Sequence, residues 1–179
     1  MNNVLIVGCG HMGSALLKSW HKKKSYSFSV IEPKNYKSLK KQYSNKINFY
    51  KSFEEITNFK KFDLIVFAIK PQIAEKVVKK FKIDLKKNIL LISIIAGKKI
   101  SFFSKKLKSK HQIVRVMPNM PALVGKGISC LICKNKISKR HKEISSLLFK
   151  EVGEIIWLNK ESEMDKITAI SGSGPAYFY

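Results

Sequence analysis

Arginine is nearly missing from this basic chain. Its 179 residues carry 35 Lys and Arg against 12 Asp and Glu, a formal charge of +23, yet only Arg115 and Arg140 are arginine. Base-edge and phosphate recognition usually draws on forked guanidinium groups, so no nucleic-acid partner is expected. Lysine runs such as Lys22–Lys24, Lys79–Lys80 and Lys105–Lys106 read as solvated surface whose field attracts anions. Long apolar runs are also missing. The longest, residues 88–96, is too short to span a membrane, so no membrane partner is expected. The first apolar residues follow no positively charged stretch, which argues against a secretion signal and for a cytoplasmic location. Cysteine is scarce: Cys9, Cys130 and Cys133. Cys130 and Cys133 have ligand spacing, but they lie in an alternating segment, where positions three apart point to opposite faces. With no second pair to complete a zinc site, no metal is expected and the thiols read as buried and reduced. The histidines His11, His21, His111 and His141 form no acid–base cluster, and the last three read as surface residues. No catalytic side chain is assigned.

What is present is a strand–helix alternation. Apolar segments at 3–7, 27–31, 47–50, 63–69, 89–94 and 113–117 read as strands. Helices are expected from Met12 to Lys23 with Leu16, Leu17 and Trp20 inward, and from Tyr36 to Tyr43. A short helix is expected at 53–57, then one after Pro71 with Ile73, Val77 and Val78 inward, and one over 101–107. Strands apolar on both faces imply a mostly parallel sheet covered by helices on both sides. Beyond Pro121 the pattern gives a strand at 127–133, a helix at 138–150 with Ile144, Leu147 and Leu148 inward, a strand at 154–158, and a new helical start at 161–170.

Three glycines carry the chemistry. Gly8-Cys9-Gly10-His11-Met12-Gly13 follows a strand and opens a helix, the context that a dinucleotide loop requires. Gly8 permits the turn, Gly10 lets a pyrophosphate approach, and Gly13 lets the helix pack closely. Free N–H groups at the helix start then meet the phosphates. Glu32 ends the second strand and would accept from the ribose hydroxyls of NAD, or serve as an ordinary acid at a helix start. Lys34 and Lys37 beyond it could bind the 2′-phosphate of NADP, so the sequence leaves NADP or NAD open. Ala68, Lys70 and Pro71, then Ala96, then Met117, Pro118 and Asn119 end three further strands on the same expected edge. They would floor a flat ring, with Asn119 as either a polar contact or a turn former.

These blocks resemble the pyrroline-5-carboxylate reductase family. The resemblance rests on Gly8–Gly13, Ala68-Ile69-Lys70-Pro71-Gln72, Ser93-Ile94-Ile95-Ala96-Gly97, Arg115–Gly125 and Met164–Tyr177. His11 departs from the asparagine that the family pattern carries there. The resemblance implies an α/β, Rossmann-type sheet over 1–158, followed by the start, at 159–179, of a truncated all-helical dimerisation and substrate domain. It implies an oxidoreductase of proline biosynthesis that reduces the imine 1-pyrroline-5-carboxylate to L-proline with hydride from NAD(P)H. The parent would be a homodimer or higher oligomer. Ser171 and Ser173 would lie on the substrate side. A chain ending at Tyr179 would lack the substrate clamp and is expected to be inactive alone, with Ile167, Ile170 and Tyr177–Tyr179 as an exposed apolar patch. The alternatives are a non-catalytic dinucleotide-binding fragment or a related two-domain dehydrogenase.

Overall fold

The computed structural model describes residues 1–43, 46–81, 85–107, 111–134 and 137–168. Its eight strands are β1 (Asn2–Val7), β2 (Tyr26–Ile31), β3 (Asn48–Tyr50), β4 (Leu64–Phe67), β5 (Leu90–Ser93), β6 (Gln112–Pro118), β7 (Gly127–Cys133) and β8 (Gly153–Trp157). The helices are α1 (His11–Trp20), α2 (Tyr36–Tyr43), α3 (Ala74–Lys80), α4 (Ile100–Leu107), α5 (Lys139–Lys150) and α6 (Glu161–Thr168). The strands form one sheet in the order β3-β2-β1-β4-β5-β6-β7-β8. All pairings through β6 are parallel, with Val4 opposite Phe28 on one side and Leu64 on the other. β7 turns back antiparallel to β6, placing Met117 opposite Cys130, and β8 runs parallel to β7.

The doubly apolar strands serve two cores. Val4, Ile6, Val66 and Ile92 face a layer with Leu16, Leu17, Trp20, Leu148 and Phe149. Their neighbours Leu5, Val7, Ile65 and Phe67 face Phe81, Ile100, Phe103 and Met164. Successive residues point to opposite faces, so a strand covered on both sides must be apolar at every position. Each fully buried large side chain contributes about 1.5–3 kcal/mol. Trp20 also satisfies its indole N–H on the Leu148 carbonyl at 2.6 Å, which ties α1 to α5.

The expected elements are present, and five details differ. The short helix near 53–57 is a 3-10 turn at Phe53–Glu55. The first helix ends at Trp20, and the Lys23 N–H closes on the Trp20 carbonyl. Ile73, expected inward, is 48% exposed, because Pro71–Ile73 is a 3-10 turn and the buried stripe of α3 begins at Ala74. Leu147, also expected inward, is 56% exposed, since α5 buries Ser145, Leu148 and Phe149, one helical stripe that leaves position 147 outside. Ile167, expected in an exposed patch, packs half-buried against the second core; Ile170 and Tyr177–Tyr179 lie outside the described residues.

The histidine expectation also changes. His21, His111 and His141 are half-buried, not surface residues. The His21 ring meets Tyr43 edge-on, and His141 Nδ1 lies 2.7 Å from Gln112 Oε1. Lysine-rich neighbours hid this, because a ring can pack while the flanking ammonium groups reach water.

Candidate functional site

The glycine loop joins β1 to α1, next to β4, where the strand order reverses. Gly8 has φ +92°, and a Cβ there would sit 2.6 Å from Ile69 Cγ2 and 2.7 Å from the Ala68 carbonyl oxygen. A Cβ on Gly13 would sit 2.6 Å from the Gly8 carbonyl oxygen. Both glycines therefore seal the turn against its own backbone and against the end of β4. At Gly10 the result is opposite: an added Cβ would meet nothing within 4 Å. Gly10 caps α1 in an extended conformation, and no side chain caps the helix. The first intrahelical bond runs from the Ser14 N–H to the Gly10 carbonyl at 2.8 Å. The amides ahead of Ser14 border an open cradle at the positive end of the helix, and this suits a phosphate.

Within the loop the side chains divide. Cys9 is buried in the first core, and burial raises its thiol pKa. Its hydrogen bond to Ser14 pulls the other way, and the Glu32 charge adds to the rise. His11 is exposed, and Met12 is half-buried. Sequence reasoning missed Ser14, whose hydroxyl donates to the Cys9 carbonyl at 2.9 Å and stiffens the turn. A hydroxyl one position past the last glycine was its signal.

Glu32 follows β2 and is 8% exposed. Its Oε2 accepts the Cys9 N–H at 2.8 Å, and its Oε1 accepts the Lys34 N–H at 2.9 Å and the Asn35 N–H at 3.4 Å. Lys34 and Lys37 are exposed.

The remaining expected residues stand at the carboxyl ends of β4, β5 and β6, the same sheet edge as the glycine loop. Ala68 is half-buried beside Gly13, and its N–H donates to the Val7 carbonyl at 2.8 Å. Lys70 is exposed on extended backbone before the Pro71 turn, and Ala96 is exposed after β5. Pro118 is buried, with Met117 and Asn119 half-buried. Asn119 Oδ1 accepts the Ile128 N–H at 2.8 Å, which staples the crossing from β6 to β7 and leaves the side-chain NH2 as its donor. Ser171 and Ser173 lie outside the described residues.

Cys9 and Cys130 are buried as expected, whereas Cys133 is half-buried, and burial raises the Cys130 and Cys133 thiols. Among the described residues no group of three or more His, Cys, Asp or Glu is placed to hold a metal. Among the described residues no helix is long and apolar enough to cross a membrane. The sequence reading also missed the role of Arg115. It is buried in β6 and reaches Glu161 at 3.3 Å and Asp165 at 3.1 Å, pinning α6 to the sheet. A lone arginine inside an apolar strand was the available signal.

A sheet in this order, with a glycine loop at its switch point, defines the dinucleotide-binding domain of nucleotide-dependent oxidoreductases. The chain belongs to the family described as NADP oxidoreductase, coenzyme F420-dependent, which matches residues 3–97. The resemblance to pyrroline-5-carboxylate reductases is borne out. The reductase of Haemophilus influenzae is 31% identical over 98% of this chain and 65% of its own. The solved reductase of Coxiella burnetii superposes with a TM-score of 0.86 at 26% identity, covering 99% of this chain and 66% of that one. The Plasmodium falciparum enzyme, solved with NADP bound, gives 0.79 at 32% identity, covering 99% and 65%. The chain thus spans about two thirds of these proteins, and 42% of a Pasteurella multocida reductase that it matches at 39% identity over 65% of this chain.

Proposed function

We propose that these residues are the cofactor-binding part of a pyrroline-5-carboxylate reductase. The observation that carries the reading is the open cradle at Gly10, at the start of α1, which no side chain caps, and at the strand-order switch point. The cradle suits a pyrophosphate, and the N–H groups ahead of Ser14 would offset its charge. At the far end Lys70 would donate to a ribose hydroxyl or phosphate. Ala96, Met117 and Pro118 would form an apolar floor that excludes water from one face of the nicotinamide ring. The free NH2 of Asn119 would orient the ring's polar edge. NADPH would supply the hydride and the protein its placement, and this suits a site to whose described residues no acid–base pair is assigned.

The substrate, an imine carboxylate, comes with the family resemblance, as does a homodimer or higher oligomer in the cytoplasm. Ser171 and Ser173 are proposed for the substrate side on the motif alone. The division into a cofactor unit over 1–158 and a helical unit from 159 belongs to the same reading.

Calorimetric titration with NADP tests the cofactor assignment. Saturable binding that disappears in Gly10→Val while the thermal midpoint holds is the expected result. Unchanged affinity in Gly10→Val would remove the site. For the reaction, pyrroline-5-carboxylate-dependent oxidation of NADPH by the whole protein is expected, and NADPH oxidation indifferent to that imine would overturn the substrate.

A further inference from the structure

Glu32 stands where a ribose-reading acid would stand, but its carboxylate is already engaged. An ionised carboxylate offers about two acceptor sites per oxygen. Oε1 has both filled, by the Lys34 and Asn35 N–H groups, and Oε2 has one filled by the Cys9 N–H. A two-point hold on the 2′- and 3′-hydroxyls of a ribose needs a free site on each oxygen, and Oε1 has none. The donors come from two turns, β1 to α1 and β2 to α2, so the carboxylate cross-links the two loops that border the adenosine end. The backbone on each side of the carboxylate is held as well: the Gly8 N–H donates to the Ile31 carbonyl at 2.9 Å and the Glu32 N–H to the Tyr50 carbonyl at 3.0 Å.

Charge points the same way. Glu32 is the sole acid in the first 53 residues. Buried and hydrogen-bonded, it offers solvent little negative charge. The turn beyond it exposes Lys34, the first turn of α2 exposes Lys37, and Lys40 and Lys51 lie over the Tyr36 ring at 5.6 and 5.3 Å. A doubly charged phosphate ester meets Lys34 and Lys37 here; the exposed acids that follow, Glu54 and Glu55, stand on the Lys51 side, where Glu55 accepts the Lys51 N–H at 3.0 Å.

We propose that Glu32 is a positioning residue that holds the dinucleotide loop in shape and does not read the ribose, and that Lys34 and Lys37 select the 2′-phosphorylated dinucleotide. This rests on the dinucleotide reading above. Hydrogen bonds to charged groups are the strong ones in such turns, so losing this clamp should loosen the loop for every dinucleotide alike.

The test is calorimetric titration of the chain with NADP and, separately, with NAD. The proteins are the parent, Glu32→Gln, Glu32→Ala and the double variant Lys34→Ala/Lys37→Ala. The parent should bind NADP about tenfold or more tightly than NAD, a difference that two charge contacts readily supply. The double lysine variant should lower that ratio about tenfold, and the effect should shrink in high salt. Both Glu32 variants should weaken NADP and NAD together with the ratio unchanged, and Gln, which keeps one acceptor, should recover part of what Ala loses. A rise in NADP affinity with a fall for NAD in Glu32→Gln would make Glu32 the ribose reader and overturn the inference. A parent that prefers NAD, or a ratio indifferent to the two lysines, would also overturn it, and the exposed lysine variant decides this even if the Glu32 variants fail to fold. A parent that binds neither dinucleotide would overturn the dinucleotide reading itself and this inference with it.

Discussion

Arg115 meets Asp165 at 3.1 Å from a side chain that is only 3% exposed, whereas the aspartate is 53% exposed. The asymmetry decides which partner matters. A buried guanidinium left without acids is costly, whereas acids near the surface rehydrate. Glu161, at 3.3 Å, is the more deeply buried partner at 23% exposure, and its Oε1 also accepts the Ile100 N–H at 2.8 Å. Glu161→Ala should therefore cost about 2–4 kcal/mol, and Arg115→Met, which fills the slot without a charge, about 1–2 kcal/mol. Urea unfolding of both variants checks the order. An Arg115→Met variant less stable than Glu161→Ala would mean that the ion pair is a net stabiliser.

The glycines of the loop should separate stability from binding. Gly13→Ala places a methyl 2.6 Å from the Gly8 carbonyl oxygen, so it should lower stability by about 1–3 kcal/mol. Gly10→Ala adds its methyl to open space on extended backbone, so its stability should stay within about 0.5 kcal/mol while NADP affinity falls. Thermal scans beside calorimetry distinguish the two. Equal destabilisation would contradict the open cradle.

Much of this site was legible because its physics is local. A glycine triplet between an apolar strand and a helix start points to a tight turn, an open position and close packing, and in the fold Gly8 turns at positive φ, Gly10 faces open space and Gly13 lies against the Gly8 carbonyl. The apolar segments from Val4 to Phe67 could be read as parallel strands because both their faces needed cover. Contacts distant in sequence were not legible. Nothing near Glu32 signals that its oxygen will meet Cys9, 23 positions away, nor near Arg115 that Asp165 will arrive 50 positions later. Leu147 misled because a helical stripe is chosen by the partner surface, and α5 turned Ser145 inward in its place.

Asn119 offers a test of how the β6–β7 crossing serves the site. Its oxygen holds the Ile128 N–H, so Asn119→Asp keeps the acceptor, and Asn119→Ala loses it. The alanine variant should lose about 1 kcal/mol of stability, as for a single hydrogen bond, and the aspartate variant less. If the amide NH2 orients the nicotinamide, both should weaken NADP, the aspartate more because it adds negative charge beside the ring. An aspartate variant with parental affinity would remove Asn119 from the cofactor contacts and leave it a turn staple.

Acid sensitivity should begin with the histidines. Burial lowers the pKa of His141 below its ordinary value, Arg140 beside it lowers it further, and a hydrogen bond with the Asn88 backbone opposes them. Burial likewise lowers His111, against a hydrogen bond with the Lys87 backbone. The sign follows: a depressed histidine pKa means that the folded chain refuses a proton that the unfolded chain accepts. Stability is full above the unfolded value of about 6.5 and declines as pH falls through the folded values, by at most about 1.4 kcal/mol per pH unit for each group. Asp63, Glu54 and Glu75 titrate below this window. Burial works to raise Asp63, but hydrogen bonds from Lys86 and Asn3 and the nearby cations outweigh it, so it titrates below its ordinary 3.8. A hydrogen bond from Lys80 takes Glu54 to about 2, and one from Lys106 takes Glu75 to about 2. Urea unfolding between about pH 8 and pH 5 should show stability falling below about pH 6.5. The variant His141→Gln, which can still bond to Gln112, should flatten part of that fall. A slope unchanged in that variant would show that the His141 ring takes up its proton as readily in the folded chain as in the unfolded one.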